Sequence, residues 1–242
     1  GLDDFFVGGA SDYLGEVYLQ ESKGTFIKLN NSFLKGDLVK EDIAALFFDA
    51  DNDKDVDLYV VSGSNEFDAG SPYLEDRLYL NDGSGVFQKA KNSLPNVTNS
   101  GSCVKAADYD NDGDLDLFVG GWLVPKQYPK PAKSFLLQNE GVQNGQPKFI
   151  EVTDKVAPTL LEAGMVTDAV WFDFNNDNLL DLAIVGEWMP ITILKNTGDK
   201  FEDLTKKLGL ENTVGWWYSI TTADFDKDGY ADLVAGNLGL NH

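Results

Sequence analysis

The sequence predicts an all-β protein, a β-propeller of four-stranded antiparallel blades, with about four blades in this chain. Three observations lead to this prediction. A nine-residue acidic pattern recurs four times, about every 58 residues. An apolar run stands on either side of each copy, and turns rich in Asn, Asp and Gly follow. No segment shows the long 3.6-residue apolar period of a helical repeat.

The first two strands of each unit are predicted to flank the acidic pattern. Both are almost continuously apolar, which is typical of strands buried on both faces. The strands that enter the pattern are Ile43–Phe48, Val104–Ala107, Ala169–Phe172 and Ile220–Ala223. The strands that leave it are Leu58–Val61, Leu117–Val119, Leu182–Val185 and Leu233–Ala235.

The third and fourth strands of each unit form a predicted hairpin. The third strands are Val17–Gln20, Arg77–Leu80, Phe135–Gln138 and Thr192–Leu194. Turns such as Asn81-Asp-Gly and Asn196-Thr-Gly follow, and these residues supply the positive φ that tight hairpins need. The fourth strands are predicted to begin at Phe26, Phe87, Phe149 and Phe201.

The repeats predict one propeller, or a propeller fragment, over residues 1–242. They divide it near 1–48, 49–107, 108–172 and 173–223, with a last partial repeat at 224–242. The string Gly1–Gly9 aligns with Gly113–Gly121, which places Asp4 at the ninth position of a motif whose first five residues are missing. We therefore expect the chain to be part of a longer parent protein.

Composition excludes several classes of partner. With 19 basic and 40 acidic residues the formal charge is −21, which argues against binding to nucleic acid or an anionic membrane. No uncharged apolar run reaches the roughly 18 residues needed for membrane insertion. Cys103 is the single cysteine, so no internal disulfide is possible, and His242 is the only histidine.

The acidic patterns are predicted to be calcium sites. Each places oxygen-bearing side chains at positions 1, 3, 5 and 9, and a main-chain carbonyl at position 7 would complete a cage of the hard oxygen ligands that Ca²⁺ prefers. Solvated turns are the alternative interpretation, and four copies with one spacing argue against it. An EF-hand is excluded because Val60, Val119, Ile184 and Ala235 stand where it needs a glutamate. The predicted ligands are Asp49, Asp51, Asp53, Asp55, Asp57, Asp108, Asp110, Asp112, Asp114, Asp116, Asp173, Asn175, Asp177, Leu179, Asp181, Asp224, Asp226, Asp228, Tyr230 and Asp232, with position 7 contributing its carbonyl.

The four loops are not equivalent at position 6, where a left-handed backbone is expected. Gly113 and Gly229 suit that conformation, and Asn178 tolerates it. Lys54 does not, so we expect the first loop to bind calcium most weakly. Three to four structural Ca²⁺ ions are predicted, and they would neutralise part of the charge of loops that hold 17 of the 40 acidic residues.

Two strings in particular are similar to a known family. Asp108–Gly120 (DYDNDGDLDLFVG) and Leu78–Phe87 (LYLNDGSGVF) resemble FG-GAP/VCBS repeats, found in integrin α-subunit heads and in bacterial surface proteins. The stretch Phe201–Asn241 resembles a bacterial branch related to cartilage acidic protein. The resemblance implies a propeller, typically seven-bladed, with Ca²⁺ between the first two strands of a blade. Seven blades need more chain than this, so it implies either an open part of a larger propeller or a smaller ring.

A ligand face is predicted opposite the calcium loops, where the loops after the second and fourth strands meet. Exposed aromatic rings beside polar groups can stack on sugars or anchor a protein. The candidate residues are Trp122, Trp188, Trp217, Tyr218, Tyr73 and Glu66. Trp122 and Trp188 are interpreted as equivalent, since each ends a Val-Gly-x-Trp string. The tryptophans can instead pack between blades, the interpretation favoured for Trp171 and Trp216.

The leading functional hypothesis is a calcium-stabilised, non-catalytic recognition module that binds a protein or glycan at a cell surface. Bacterial export to a periplasmic, cell-surface or extracellular location suits a calcium protein without disulfides. One alternative is a polysaccharide lyase or hydrolase that uses Glu66, Glu187, Lys126 or Lys133. The other is a purely structural spacer.

Overall fold

The computed structural model describes residues 3–21 and 24–239. In these ranges the fold is all-β, as predicted, with four antiparallel sheets and only short helical turns. These turns are an α-helical one at Thr153–Val156 and 3-10 turns at Ser32–Asp37, Pro72–Leu74 and Pro158–Glu162. None of the helices in the described ranges has the length and apolar character needed to cross a membrane. The first two residues of the 1–9 alignment and the end of the Phe201–Asn241 string lie outside the described ranges.

The strands are numbered in chain order and fall into consecutive sheets. The first sheet contains β1 (Phe5–Val7), β2 (Glu16–Gln20) and β3 (Phe26–Lys28). The second contains β4 (Asp42–Phe48), β5 (Asp57–Ser62), β6 (Arg77–Asn81) and β7 (Phe87–Lys89). The third contains β8 (Gly101–Ala107), β9 (Asp116–Gly121), β10 (Phe135–Gln143) and β11 (Gln146–Glu151). The fourth contains β12 (Met165–Phe172), β13 (Asp181–Met189), β14 (Thr192–Asn196), β15 (Phe201–Asp203), β16 (Gly215–Ala223) and β17 (Asp232–Asn237).

Strands β16 and β17, here called the terminal ribbon, join the fourth sheet through a short contact. Trp216 pairs with Glu187 and Gly215 pairs with Met189, with an irregularity between the two pairs. Apart from this contact, β12–β15 pair in the same pattern as the four strands of the second and third sheets. The ribbon therefore follows β12–β15 as the beginning of another unit.

The sheets pack face to face because their second strands are apolar on both sides. Successive side chains of a strand point to opposite faces. In β5, Leu58 and Val60 pack toward the first sheet, whereas Tyr59 and Val61 pack toward the third. The same alternation recurs in β9 and β13, so four hydrophobic clusters separate the successive sheets and the ribbon.

The two ends of the stack expose apolar side chains. Phe5, Tyr18 and Phe26 pack against one another on the face of the first sheet that points away from the second. Phe5 and Phe26 remain about two-fifths exposed, and Val234 of the ribbon is half exposed. Among the described residues, the outer faces of the stack are thus not covered by another sheet.

The predicted strands occur in the structure, but several begin earlier than predicted. β8 begins at Gly101 rather than Val104, β12 at Met165 rather than Ala169, and β16 at Gly215 rather than Ile220. β11 begins at Gln146 rather than Phe149, because β10 continues to Gln143 and extends the hairpin. The predicted repeats were divided at the acidic loops, but each four-stranded sheet begins with the strand that precedes its loop. In the second sheet this strand is β4, which pairs along its length with β5, the strand after the loop.

Candidate metal centres and an aromatic face

The acidic loops connect the first and second strands of successive units and share one set of backbone contacts. In the second loop, the position-1 carboxylate of Asp108 accepts the N–H groups of Asp112 and Gly113, both at 3.1 Å. The position-5 carboxylate of Asp112 accepts the N–H of Asp114 at 2.9 Å. Equivalent contacts occur in the other loops. The aspartate carboxylates of positions 1 and 5 thus hold the loop backbone in a tight turn around them.

Positions 4 and 6 of every loop have a left-handed backbone. The prediction for position 6 is confirmed, with positive φ at Lys54, Gly113, Asn178 and Gly229. Position 4 was not predicted, although it too has positive φ at Asn52, Asn111, Asn176 and Lys227. Asparagine at three of the four positions is a signal that could have revealed it. Two loops, the first and the fourth, therefore hold a lysine in this unfavourable conformation.

Three of the four loops bring carboxylates together closely enough to share a cation. The groups, each with ligand atoms within 4.8 Å of one another, are Asp49, Asp51 and Asp53; Asp108, Asp110 and Asp116; and Asp224, Asp226 and Asp232. Residues 173–181 form no such trio of acids. There Asn175 donates to Asp177 at 2.9 Å, and Lys195 lies 3.3 Å from the same carboxylate.

The loops fit a hard divalent cation. Asp49 Oδ1, Asp51 Oδ1 and Asn175 Oδ1 are buried and have no hydrogen-bond partner. Such oxygens are costly without a compensating positive group. Asp112, Asp228 and the position-7 residues Asp55, Asp114, Leu179 and Tyr230 lie outside the trios and remain predicted ligands.

The position-9 aspartates lie at the base of the loops and are fully buried in the complete sheets. Asp116 accepts the N–H of Tyr109 at 3.3 Å and the N–H of Asn139 at 2.8 Å. Asp57 and Asp181 accept the equivalent pairs. Burial raises the pKa of Asp57 to about 6 and that of Asp116 to about 8. An adjacent cation would favour the charged form of these carboxylates.

Sequence reasoning missed a set of asparagines that link each loop to its neighbour. Asn139 lies in β10 just before its irregularity, Asn196 is the last residue of β14, and both side chains are almost fully buried. The Asn139 amide donates to the carbonyl of Ala50 at 3.0 Å, in the loop of the preceding sheet. Asn196 donates to the carbonyl of Tyr109 at 2.8 Å in the same way. The sequence had indicated Asn196 only as a hairpin-turn residue.

A second contact joins neighbouring loops through position 4. The Asn52 side chain donates to the carboxylate of Asp114 and lies 3.4 Å from the carbonyl of Gly113. The Asn176 side chain donates to the carbonyl of Gly229 at 3.1 Å. The loops are therefore connected laterally as well as through the sheets.

An aromatic face lies at the opposite ends of the same strands. The Trp122 indole N–H donates to Glu187 at 3.1 Å, and the Trp188 indole N–H donates to the Tyr128 hydroxyl at 3.3 Å. The Trp188 and Trp216 rings pack with centroids 5.0 Å apart. The loop after β9, the end of β13 and the start of β16 thus meet here.

Trp122 and Trp188 are not structurally equivalent, which corrects the prediction. The pairing register is the same in both sheets, with one extra residue in β8 and in β12, so Gly121 matches Gly186 and Trp122 corresponds to Glu187. The shared Val-Gly-x-Trp string misled because β13 carries one more residue than β9 before its valine.

The other predicted ligand residues are spread more widely. Trp217 packs into the cluster between the ribbon and β12–β15, and its indole N–H donates to Thr213. Tyr218 and Tyr73 are exposed, with Tyr73 packed on Phe67, and Glu66 is exposed in the same loop. That loop contacts the aromatic side through Asp68, whose carboxylate lies 2.7 Å from Lys126 Nζ. Of the tryptophans favoured for packing, Trp171 stacks on Tyr109.

The repeats match a known family, and solved structures are similar to the chain. The FG-GAP-like repeat model matches residues 49–119 and 173–235, together more than half of the chain, which confirms the resemblance. No curated protein matches the chain in sequence. One similar solved structure is a lectin of Agrocybe aegerita, described for its recognition of non-reducing terminal N-acetylglucosamine. It is 16% identical to this chain, with a TM-score of 0.56, and the match covers 97% of this chain and 57% of the lectin. The Vibrio cholerae (V. cholerae) biofilm matrix protein Bap1 is 13% identical with a TM-score of 0.42, over 97% of this chain and 34% of that protein. The chain thus spans less than two thirds of either structure.

Proposed function

This chain belongs to the FG-GAP-like repeat family, and from that membership we propose that it is a calcium-stabilised, non-catalytic β-propeller module that binds a protein or glycan. The observation that carries the proposal is the separation of two features at opposite ends of the same strands. Acidic loops stand at one end, and a cluster of tryptophans and Tyr128 stands at the other.

The propeller is supported by the stacking of the sheets. Four-stranded antiparallel sheets follow one another along the chain, and each packs its second strand against both neighbours. This is the packing that neighbouring blades require. The uncovered faces of the first sheet and of the ribbon suit an open arc whose ends meet further blades of a longer parent chain.

Calcium is supported by the inward-facing oxygens of the loops. Carboxylates, amide oxygens and carbonyls are the ligands that Ca²⁺ prefers. Each ion would join the first two strands of a unit at the buried position-9 aspartate. The Asn139 and Asn196 contacts would carry that stabilisation to the preceding sheet. Three to four ions would reduce the excess of negative charge.

Binding without catalysis is supported by the polar partners on the aromatic face. Among the candidate acid, base and cation residues, Lys126 is paired with Asp68 and Glu187 accepts the Trp122 indole N–H. Exposed aromatic rings provide a surface for sugars or for a protein side chain. An extracellular, cell-surface or periplasmic location, where calcium is abundant, suits a module of this kind.

The binding role is tested on arrays of immobilised glycans and cell-surface proteins, in buffer with calcium. Trp188→Ala is expected to reduce binding at least about tenfold, with an unchanged melting temperature because the side chain is half exposed. Tyr13→Ala is the matched control, an exposed aromatic residue in the first sheet region. Equal binding by Trp188→Ala and the unmodified protein would contradict a ligand site on this face.

A further inference from the structure

Glu187 is an unusual residue for the centre of an aromatic face. It is only 6% exposed, and its Oε1 accepts the Trp122 indole N–H at 3.1 Å. Its Oε2 is buried and has no hydrogen-bond partner among residues 3–21 and 24–239. The same holds for Nε1 of Trp216, the residue that pairs with Glu187 across the strands. None of the ion pairs among the described residues includes Glu187. A carboxylate in such a place costs free energy unless something compensates its charge.

The other units do not place a charge at this position. Counted from the ninth residue of the acidic pattern, the residues that correspond to Glu187 are Ala10, Gly63, Trp122 and Leu238. Each is apolar or glycine, and each follows the end of its second strand. The fold therefore does not require a carboxylate here, and Glu187 is a departure specific to the fourth sheet.

Trp188, the next residue, departs from the strand in a second way. It is the extra residue between the Glu187–Trp216 and Met189–Gly215 pairs, and it has a left-handed backbone with φ of 60°. A bulky side chain in this conformation is unfavourable by roughly 1–2 kcal/mol. The bulge turns the indole outward, where it is 54% exposed and packs on Trp216. Strained residues of this kind are concentrated at functional sites.

We propose that the face formed by Trp122, Tyr128, Glu187, Trp188 and Trp216 binds an alkylammonium group, presented as the lysine side chain of a basic protein partner. This rests on the proposed binding function and specifies its ligand. The face combines aromatic rings with a buried negative charge that has no cation of its own. A positive group placed over the rings is attracted by their π faces and also compensates Glu187.

A cation suits this face better than a neutral sugar for two reasons. Trp122 donates its N–H to the carboxylate, so its ring is more electron-rich than that of a free indole. The chain carries a formal charge of −21, which attracts a basic partner during encounter and disfavours an acidic one. A hydroxyl could donate a hydrogen bond to Glu187 but would leave its negative charge uncompensated, whereas an ammonium group supplies both a donor and a positive charge.

The test uses two pairs of probes, each with a cationic member and a neutral member of similar shape. Choline is compared with 3,3-dimethyl-1-butanol, its neutral carbon analogue, and a short lysine peptide is compared with the same peptide containing norleucine. Binding is followed through the five tryptophan indole N–H signals in nitrogen–proton correlation spectra. The Trp171 indole, which donates to the Lys105 carbonyl between the sheets, is the internal reference.

The expected result is a shift of the Trp188 and Trp216 signals, with Trp171 unchanged. Choline should bind about tenfold more tightly than its neutral analogue, and the lysine peptide likewise compared with norleucine. Glu187→Gln should remove most of this preference, whereas Glu202→Gln, the same loss of charge on the exposed strand β15, should not. Should Glu187→Gln fail to fold, Trp188→Gly keeps the left-handed backbone and should also lose choline binding.

Each other outcome of the binding test would contradict a particular part of the proposal. Equal binding of charged and neutral probes at the same indoles would overturn the cation assignment and leave the proposed binding face intact. Preference for choline but not for the lysine peptide would overturn a lysine-bearing partner. No response to either pair would overturn the inference, and the array experiment with Trp188→Ala would then decide the proposed function separately.

Discussion

Replacing Asn196 with alanine tests whether neighbouring sheets are held together by hydrogen bonds between their loops. The side chain is 1% exposed. Its amide donates to the Tyr109 carbonyl at 2.8 Å and to the Leu180 carbonyl at 3.2 Å, and its oxygen accepts the Gly198 N–H at 2.9 Å. Alanine removes all three contacts and leaves buried polar groups without partners.

The magnitude follows from those contacts. A buried hydrogen bond contributes about 1 kcal/mol net, and an unsatisfied buried group costs about 1–3 kcal/mol. The free energy of unfolding should therefore fall by about 2–4 kcal/mol in Asn196→Ala. For a protein of this size each kcal/mol shifts the melting temperature by about 2–4 °C, so a decrease of about 4–16 °C is expected. Asn139→Ala should lower the free energy of unfolding by a similar amount.

Asn81→Ala is the matched control. Asn81 ends the third strand of the second sheet. Among the contacts of the described residues, its side-chain amide donates to the Val56 carbonyl and its oxygen accepts the Gly85 N–H, both within that sheet. Its replacement should cost about 1 kcal/mol. Calorimetric melting of the three variants, with and without calcium, provides the comparison. Equal losses for Asn81→Ala and Asn196→Ala would refute the cross-sheet explanation.

Three further results are expected. Lys54→Gly should raise calcium affinity at the first loop several-fold in a calorimetric titration, because glycine avoids a left-handed cost of about 1 kcal/mol; an unchanged affinity would count against strain there. Asn52→Ala removes a contact with Asp114 and should weaken calcium binding at the second loop, whereas unaltered affinity would mean that the loops bind independently. Burial raises the pKa of Asp76 to about 6, above its unfolded value, so its contribution to stability is present at low pH and lost as the pH rises through 6. Asp76→Asn should therefore increase the melting temperature more at pH 7.5 than at pH 4.5, and the opposite order would contradict this.

Local features were predictable because they depend on a few neighbouring residues. The second strands are apolar on both faces, which predicted their burial between sheets. Gly113 and Gly229 predicted the left-handed backbone at position 6 of the loops. The start of β11 was missed because a hairpin can lengthen without any change of apolar pattern.

Long-range contacts were not predictable in this way. Asn139 reaches a carbonyl 89 residues away, and no local signal identifies that partner. Trp216 and Trp217 are adjacent in β16, so they point to opposite faces, but only the packing shows which one joins Trp188. Glu187 could have been noticed by aligning the repeats on their acidic patterns, since it is charged where the others are not.

The most direct test of a calcium-stabilised repeat protein is thermal melting in EDTA and then during a calcium titration, together with the number of bound ions. A large calcium-dependent rise in melting temperature is expected, with three to four ions bound per chain. No shift and no bound metal would contradict it, and the acidic loops would then be ordinary turns.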